Sequence, residues 1–236
     1  PTTPARIRNA TIIDLFILVL IKAIYIKVIK KQFFVIFLSL IMKSKTWILR
    51  QKNDQFVKKA KQIGYISRAA FKLEEIEKKF NLIKHSRNIF EFGSSPGGWT
   101  QVILNSNKNI KITSIDLLDL KIKHKNIRFF KENFLTFNFD ILNEDYDLVL
   151  SDIAPNTTGH QSTDHLRISQ LIYEIIDKLE ILLKPKGSFI CKIWKGEEEK
   201  EIIKKLKILF ENVEYFKPQS SRKESSEIFI VARNFI

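Results

Sequence analysis

The chain has 236 residues, room for one α/β domain with an ample core plus an extension. Apolar residues make up 44% and charged residues 28%, ordinary proportions for a globular protein, and the single cysteine, Cys191, excludes a disulfide framework or a cysteine-rich zinc site. The net charge of +14 is uneven: residues 1–50 hold nine Lys/Arg against one acid, so +8 lies there and +6 in the rest. A domain at +6 is compatible with a polyanionic partner such as RNA, although charge runs are most often solvated faces.

Residues 1–45 form a basic apolar extension. From Ile12 to Met42 it is dominated by Ile, Leu, Val and Phe, yet lysines interrupt every long apolar run, and no stretch of about 18 uncharged apolar residues supports a spanning helix. On a helical wheel Lys22, Lys27, Lys30 and Lys31 share one half of the circumference. A basic, acid-poor, partly amphipathic segment is expected to direct the chain to an organelle, mitochondrion ahead of plastid, although it is richer in Lys and Ile than in the usual Arg and Ser. A membrane-surface helix or an unfolded leader are the alternatives. Without a targeting role the location would be cytoplasm or nucleolus. Residues 46–236 are expected to be the folded domain, and a monomer.

Along that domain, Ser67 can cap a helix reaching about Phe80, with Ala70, Phe71, Leu73, Ile76 and Phe80 at helical spacing. Strands are predicted at 88–92, 111–115, 127–131, 146–151 and 188–194, with helices at 100–105, 166–183 and 197–210. Lys184-Pro185-Lys186-Gly187 is read as the stop of the long helix. Segments 213–217 and 227–233 complete the set as an antiparallel edge pair. This alternation predicts an α/β three-layer sandwich around a mostly parallel, seven-stranded sheet. Ligands of such sheets sit outside the carboxyl ends of the strands. Gly93, Asp116, Asn133, Asp152 and Lys192 lie at or near those ends.

Three of only seven glycines fall in Gly93-Ser94-Ser95-Pro96-Gly97-Gly98, after the apolar run Ile89-Phe90-Glu91-Phe92 and before a helix starting near Trp99. Clustered glycine in a glycine-poor chain marks a ligand-binding bend, where the backbone takes positive φ or lets a ligand close. The G-x-x-x-G-G spacing breaks the dinucleotide fingerprint, and the Gly-Lys-Ser/Thr of a phosphate loop is absent. The segment resembles the S-adenosylmethionine loop of class I methyltransferases with their Rossmann-like fold. Asp116 can accept from both hydroxyls of a cofactor ribose, or simply cap the turn Asp116-Leu117-Leu118-Asp119. Asn133 can pair with an adenine edge, or cap its own loop. Ser151-Asp152-Ile153-Ala154-Pro155-Asn156 lacks the Asp/Asn-Pro-Pro-aromatic run with which base-nitrogen methyltransferases stack their target, so its lone carboxylate suits the orientation of a hydroxyl or a lysine. The four histidines (His85, His124, His160, His165) have no metal-ligand spacing, and no metal is expected.

Ser67-Arg68-Ala69-Ala70-Phe71-Lys72-Leu73-Glu74-Glu75-Ile76, Pro96-Gly97-Gly98-Trp99, Asp116-Leu117-Leu118, Ser151 to Asn156, Cys191-Lys192-Ile193-Trp194, Lys217-Pro218-Gln219-Ser220-Ser221-Arg222 and Ser226-Glu227-Ile228-Phe229-Ile230-Val231-Ala232 resemble, in order, the blocks of the FtsJ (RrmJ) family of RNA ribose 2′-O-methyltransferases. The similarity spans about Trp47 to Asn234. It implies a Lys-Asp-Lys-Glu tetrad at Lys72, Asp152, Lys192 and Glu227. A ribose 2′-OH is a weak acid, so in-line attack on a sulfonium methyl needs a base and strict positioning. Lys192 is the expected base, with Lys72 the neighbouring cation that disfavours its protonated form, Asp152 orienting amine and hydroxyl, and Glu227 holding Lys72 or the ribose. The resemblance also implies S-adenosylmethionine contact at Gly93, Gly97, Gly98, Trp99, Asp116, Asn133 and Asp152; the family usually has Asp at position 133. The compact domain is similar to the ribosomal members, which methylate an A-loop uridine of large-subunit rRNA, free or in the assembling subunit. A tRNA anticodon-loop enzyme or a silent assembly factor on the same fold are the rivals. Lys58, Lys59, Lys61, Arg68, Arg222 and Lys223 are candidate phosphate contacts.

Overall fold

The computed structural model describes residues 52–155, 158–222 and 224–236, so the expectations placed on residues 1–45 lie outside the described residues. The elements in chain order are α1 (Gln55–Ile63), α2 (Ala69–Phe80), β1 (Asn88–Phe92), α3 (Gly98–Ser106), β2 (Lys111–Ile115), β3 (Ile127–Phe130), a 3-10 turn (Phe139–Ile141), β4 (Tyr146–Ser151), α4 (Gln161–Ile176), α5 (Leu179–Leu182), β5 (Leu183–Trp194), α6 (Glu199–Leu209), β6 (Phe210–Phe216) and β7 (Glu227–Phe235). Residues Gln55–Ile236 form one compact unit.

The strands pair in the order β3-β2-β1-β4-β5-β7-β6. The first five are parallel, and β7 lies antiparallel between β5 and β6. The sheet therefore has seven strands, with the expected antiparallel pair at one edge and the later strand of that pair inside. Strand cores such as Ile89-Phe90 and Leu148-Val149-Leu150 are apolar at successive positions because both sheet faces are covered. Ile89 faces Leu73, Ile76, Trp99 and Ile103 of α2 and α3, whereas Phe90 and Phe92 face the layer holding Ile168, Ile172 and Leu206 of α4 and α6. That is the three-layer arrangement read from the alternation. The order reverses between β1 and β4, so the carboxyl ends of these neighbours flank the crevice of a doubly wound sheet.

Three local expectations need correction. Ser67 does not cap α2: Arg68 occupies the N-cap in helical conformation (φ −64°), and the buried Ser67 hydroxyl has no hydrogen-bond partner among the described residues. The helix is opened instead by backbone bonds from Ala70 N to Ser67 O and Phe71 N to Arg68 O, both 3.3 Å. The long helix starts at Gln161 and ends at Ile176, and a separate turn then buries Leu179 and Leu182. Lys184-Pro185-Lys186-Gly187 is the irregular start of β5, with Lys186 at φ +64° and the β4–β5 register shifting between Tyr146 and Leu148. Helix α1 adds to the predicted elements: Phe56, Val57, Ala60 and Ile63 fall at helical spacing, although Ala60 alone is buried.

Candidate active site

The glycine turn follows β1 directly. Gly93 has φ +75°, and a Cβ there would lie 2.7 Å from Ile153 Cγ1. Gly97 has φ +120°, a conformation that L side chains rarely adopt. Gly98 opens α3 where a Cβ would fall 2.1 Å from Ser67 Oγ, so α2 and α3 start in close contact. Three hydrogen bonds tie the turn to the segment after β2: Ser95 N to Asp116 Oδ2 (2.8 Å), Ser95 Oγ to Asp119 O (3.1 Å) and Lys121 N to Pro96 O (3.1 Å). Asp116 Oδ1 accepts from Leu118 N (2.8 Å), so both carboxylate oxygens are oriented by backbone donors while each keeps acceptor capacity for a ligand hydroxyl.

Trp99 is buried, its Nε1 donating to Ala69 O (3.0 Å) and its ring packed on Phe229 with centroids 5.8 Å apart. The indole is part of the core, and any cofactor contact from this position falls to the backbone at the helix start. Asn133 lies three residues beyond β3 and is exposed, with Oδ1 accepting from Leu135 N (3.1 Å), so its oxygen is committed to a loop turn and the amide nitrogen is the half that can serve a ligand.

The four tetrad positions converge as two ion pairs. Lys72, on α2, meets Glu227 at the start of β7 at 2.7 Å, both side chains 13% exposed. Lys192, near the end of β5 and only 7% exposed, donates from Nζ to both the carbonyl and Oδ1 of Asp152, each at 2.7 Å. Asp152 follows β4, its N donating to Phe92 O (3.2 Å), which places it across the crevice from the glycine turn. Burial alone would raise the Glu227 carboxyl, but the Lys72 and Lys192 ammonium groups and the Ser221 hydroxyl hold it below the ordinary range. The influence of Lys192 on Glu227 links the two pairs into one electrostatic cluster.

Several positioning residues were not legible beforehand. Glu75 of α2 accepts from Ser220 N (2.9 Å), and Arg68 donates to Ser220 O, so the β6–β7 connection is clamped to the helix that carries Lys72. Lys217 Nζ binds the carbonyls of Ser225 and Glu227, each at 2.6 Å. Arg68 also stacks on Phe56, 5.7 Å from the ring centroid, which gives that candidate phosphate contact a structural duty. Lys58, Lys59 and Lys61 stand exposed on α1, Arg222 is half-buried, and Lys223 lies outside the described residues. Glu91, 1% exposed on β1, accepts from Thr100 Oγ1 (2.6 Å), while its other oxygen has no partner among the described residues. Burial pushes its carboxyl up to about 8, opposed by the Thr100 hydrogen bond and assisted by Asp152 and Asp116.

A glycine turn after the first strand, a backbone-oriented carboxylate after the second and a carboxylate-bound lysine beside them define a Rossmann-like class I methyltransferase. A model of the FtsJ-like methyltransferase family matches residues 65–235. Ribosomal RNA large subunit methyltransferase E of Rickettsia akari is 42% identical over 201 residues, covering 81% of this chain and 88% of the relative. The protein of that name from Zymomonas mobilis is 41% identical over 197 residues, covering 81% and 89%. The crystal structure of a ribosomal RNA methyltransferase from Plasmodium falciparum, 31% identical, superposes with a TM-score of 0.64 over 72% of this chain and 98% of that one. The chain belongs to the FtsJ-like methyltransferase family.

The site fits S-adenosylmethionine, the methyl donor that a class I methyltransferase fold implies. Gly93 and Gly97, at positive φ, keep the two ends of the turn free of side chains, Asp116 presents oriented acceptors for ribose hydroxyls, and the buried Glu91 Oε1 and Ser94 Oγ beside the turn have no partners among the described residues.

Proposed function

We propose that this chain transfers a methyl group to a ribose 2′-OH of RNA, with a uridine in the A loop of large-subunit rRNA as the target. The observation that carries the reading is the pairing of Lys192 with Asp152 and of Lys72 with Glu227 beside the crevice at the β1–β4 reversal. The names of the curated relatives support ribosomal RNA as the substrate class.

S-adenosylmethionine supplies a methyl carbon made electrophilic by its positively charged sulfur. Gly93, Gly97, Gly98 and the Trp99 backbone would hold its methionine part, Asp116 its ribose hydroxyls, Asn133 its adenine through the amide nitrogen, and Asp152 would close the site. Lys192 Nζ gives two of its tetrahedral directions to Asp152 O and Oδ1. The remaining direction is where a 2′-OH would sit, its proton passing to Nζ when the amine is neutral. Lys72, fixed by Glu227, sets a positive charge beside the oxygen as negative charge develops there. Asp152 thus orients the base, and Glu227 orients the cation. Nothing in this scheme stacks a base at Asp152, in keeping with an attack on sugar.

Incubating the full chain with labelled cofactor and separate rRNA and tRNA pools tests the assignment, with digestion to nucleosides locating the 2′-O-methyl group. Label in large-subunit rRNA, at one A-loop uridine, is expected. Label confined to tRNA refutes the ribosomal target, and RNA binding without transfer to either pool points to a silent assembly factor. In the same reading residues 1–45 direct the chain to an organelle, the mitochondrion ahead of the plastid. Fusion of that segment to a fluorescent protein checks this, and diffuse cytoplasmic signal speaks against it.

A further inference from the structure

A cavity of about 560 Å³ opens between the start of α4 and the turn that joins β5 to α6. Its wall includes Trp194, two residues past Lys192 on the same strand and about 7 Å along it. Trp194 pairs in register with Glu227, and Lys195 N donates to Ser226 O (2.9 Å), so the lining residues Trp194 and Ser226 are chain neighbours of the two ion pairs, two residues from Lys192 and one from Glu227. Its opposite wall carries Leu166, 60% exposed, and His165. Gly196 allows the imidazole to lie against the turn: a Cβ there would sit 1.8 Å from His165 Nε2. That nitrogen is buried against the turn, without a hydrogen-bond partner among the described residues. Its charged lining is Lys195, Glu197 and Glu198, the last accepting from the Tyr173 hydroxyl (3.0 Å).

We infer, resting on the RNA ribose reading above, that this cavity seats an unstacked RNA base neighbouring the nucleotide being methylated. Trp194 packs in part against the core, and its partly exposed indole beside an exposed leucine suits the flat face of any base, since stacking is sequence-tolerant. Glu197 can accept from the amino and imino groups of a base edge, and Lys195 can donate to its carbonyl or ring-nitrogen acceptors. The volume lies within the range of small-ligand pockets. Recognition by splaying bases out of a loop is the usual way a protein grips single-stranded RNA. Trp194 is accordingly a positioning residue, holding the strand so that the next ribose meets Lys192.

The test compares methyl-transfer kinetics of the full chain and of Trp194→Ala, Trp194→Phe and Leu166→Ala, on RNA carrying either the natural base or an abasic nucleotide at each position flanking the target. Trp194→Ala is expected to raise the KM for RNA about tenfold, the scale of one lost stack, with kcat nearly constant, cofactor affinity unchanged and Trp194→Phe largely restoring the KM. One abasic flank should raise the wild-type KM similarly and add nothing for Trp194→Ala. Leu166→Ala, at an exposed position, should raise the KM without a change in thermal unfolding. Equal KM values for wild type and Trp194→Ala, or additive penalties from variant and abasic site, overturn the inference while leaving ribose methylation standing. A wild type that methylates no RNA removes the parent reading and this one with it.

Discussion

Replacing Glu91 with Gln isolates one buried titration. The side chain keeps its size and an acceptor for Thr100 Oγ1, but it cannot ionise. In the folded chain the carboxyl is raised from 4.5 to about 8, chiefly by burial. A carboxyl raised on folding stabilises through its bound proton: the contribution is complete below about 4.5 and disappears as pH rises through about 8. Over that window the folded state binds more protons than the unfolded state, so the wild type loses about 1.4 kcal/mol per pH unit relative to Glu91→Gln. Between pH 6.5 and pH 9 the accumulated difference is about 2 kcal/mol, because the slope flattens near the folded value. Full burial leaves solvent little part in screening the charge. Urea unfolding of both proteins at the two pH values measures it, and titrations common to both cancel in the comparison. A stability gap between the two proteins that stays constant over this range refutes the assignment of Glu91 as a buried, protonated acid.

Gly93→Ala should cost about 2 kcal/mol or more, from the positive φ and the Ile153 side chain in the way, and should weaken cofactor binding in calorimetry. Glu227→Ala leaves the mostly buried Lys72 ammonium without its carboxylate; a loss of about 3 kcal/mol in urea unfolding is expected, together with a fall in kcat. Substituting Lys58, Lys59 and Lys61 together by Gln should lower the slope of log affinity against log salt by about 2 if each contacts one phosphate of single-stranded RNA. An unchanged slope assigns the three lysines to a solvated face.

Sheet and site were legible to different depths. Strand limits at Asn88, Lys111 and Tyr146 could be read because doubly covered strands are short apolar runs with abrupt polar ends. The strand-end positions of Gly93, Asp116 and Asp152 followed from the same runs. Side-chain direction did not. Trp99 sits beside the glycine turn in sequence, yet its indole turns into the core because Ala69 O and Phe229 await it. Ser67 has the chemistry of a cap, but the approach of Gly98 draws its hydroxyl inward. Glu75 acts through Ser220, far along the chain, whereas Lys217 and Ser221 bind Ser225 and Glu227 within the folded β6–β7 connection, which no periodic pattern announces. Gln161 starts α4 five residues before the expected Leu166 because Asp164 gathers Thr158 N (2.7 Å) and Gly159 N (3.1 Å) into the turn ahead of it.

Lys192→Ala decides the chemical question most directly, assayed by labelled methyl transfer to rRNA alongside calorimetric cofactor binding. Transfer should fall by about a hundredfold or more, the usual contribution of a positioned acid–base group, with cofactor affinity retained. Transfer at the wild-type rate would remove Lys192 as the base that takes the ribose proton.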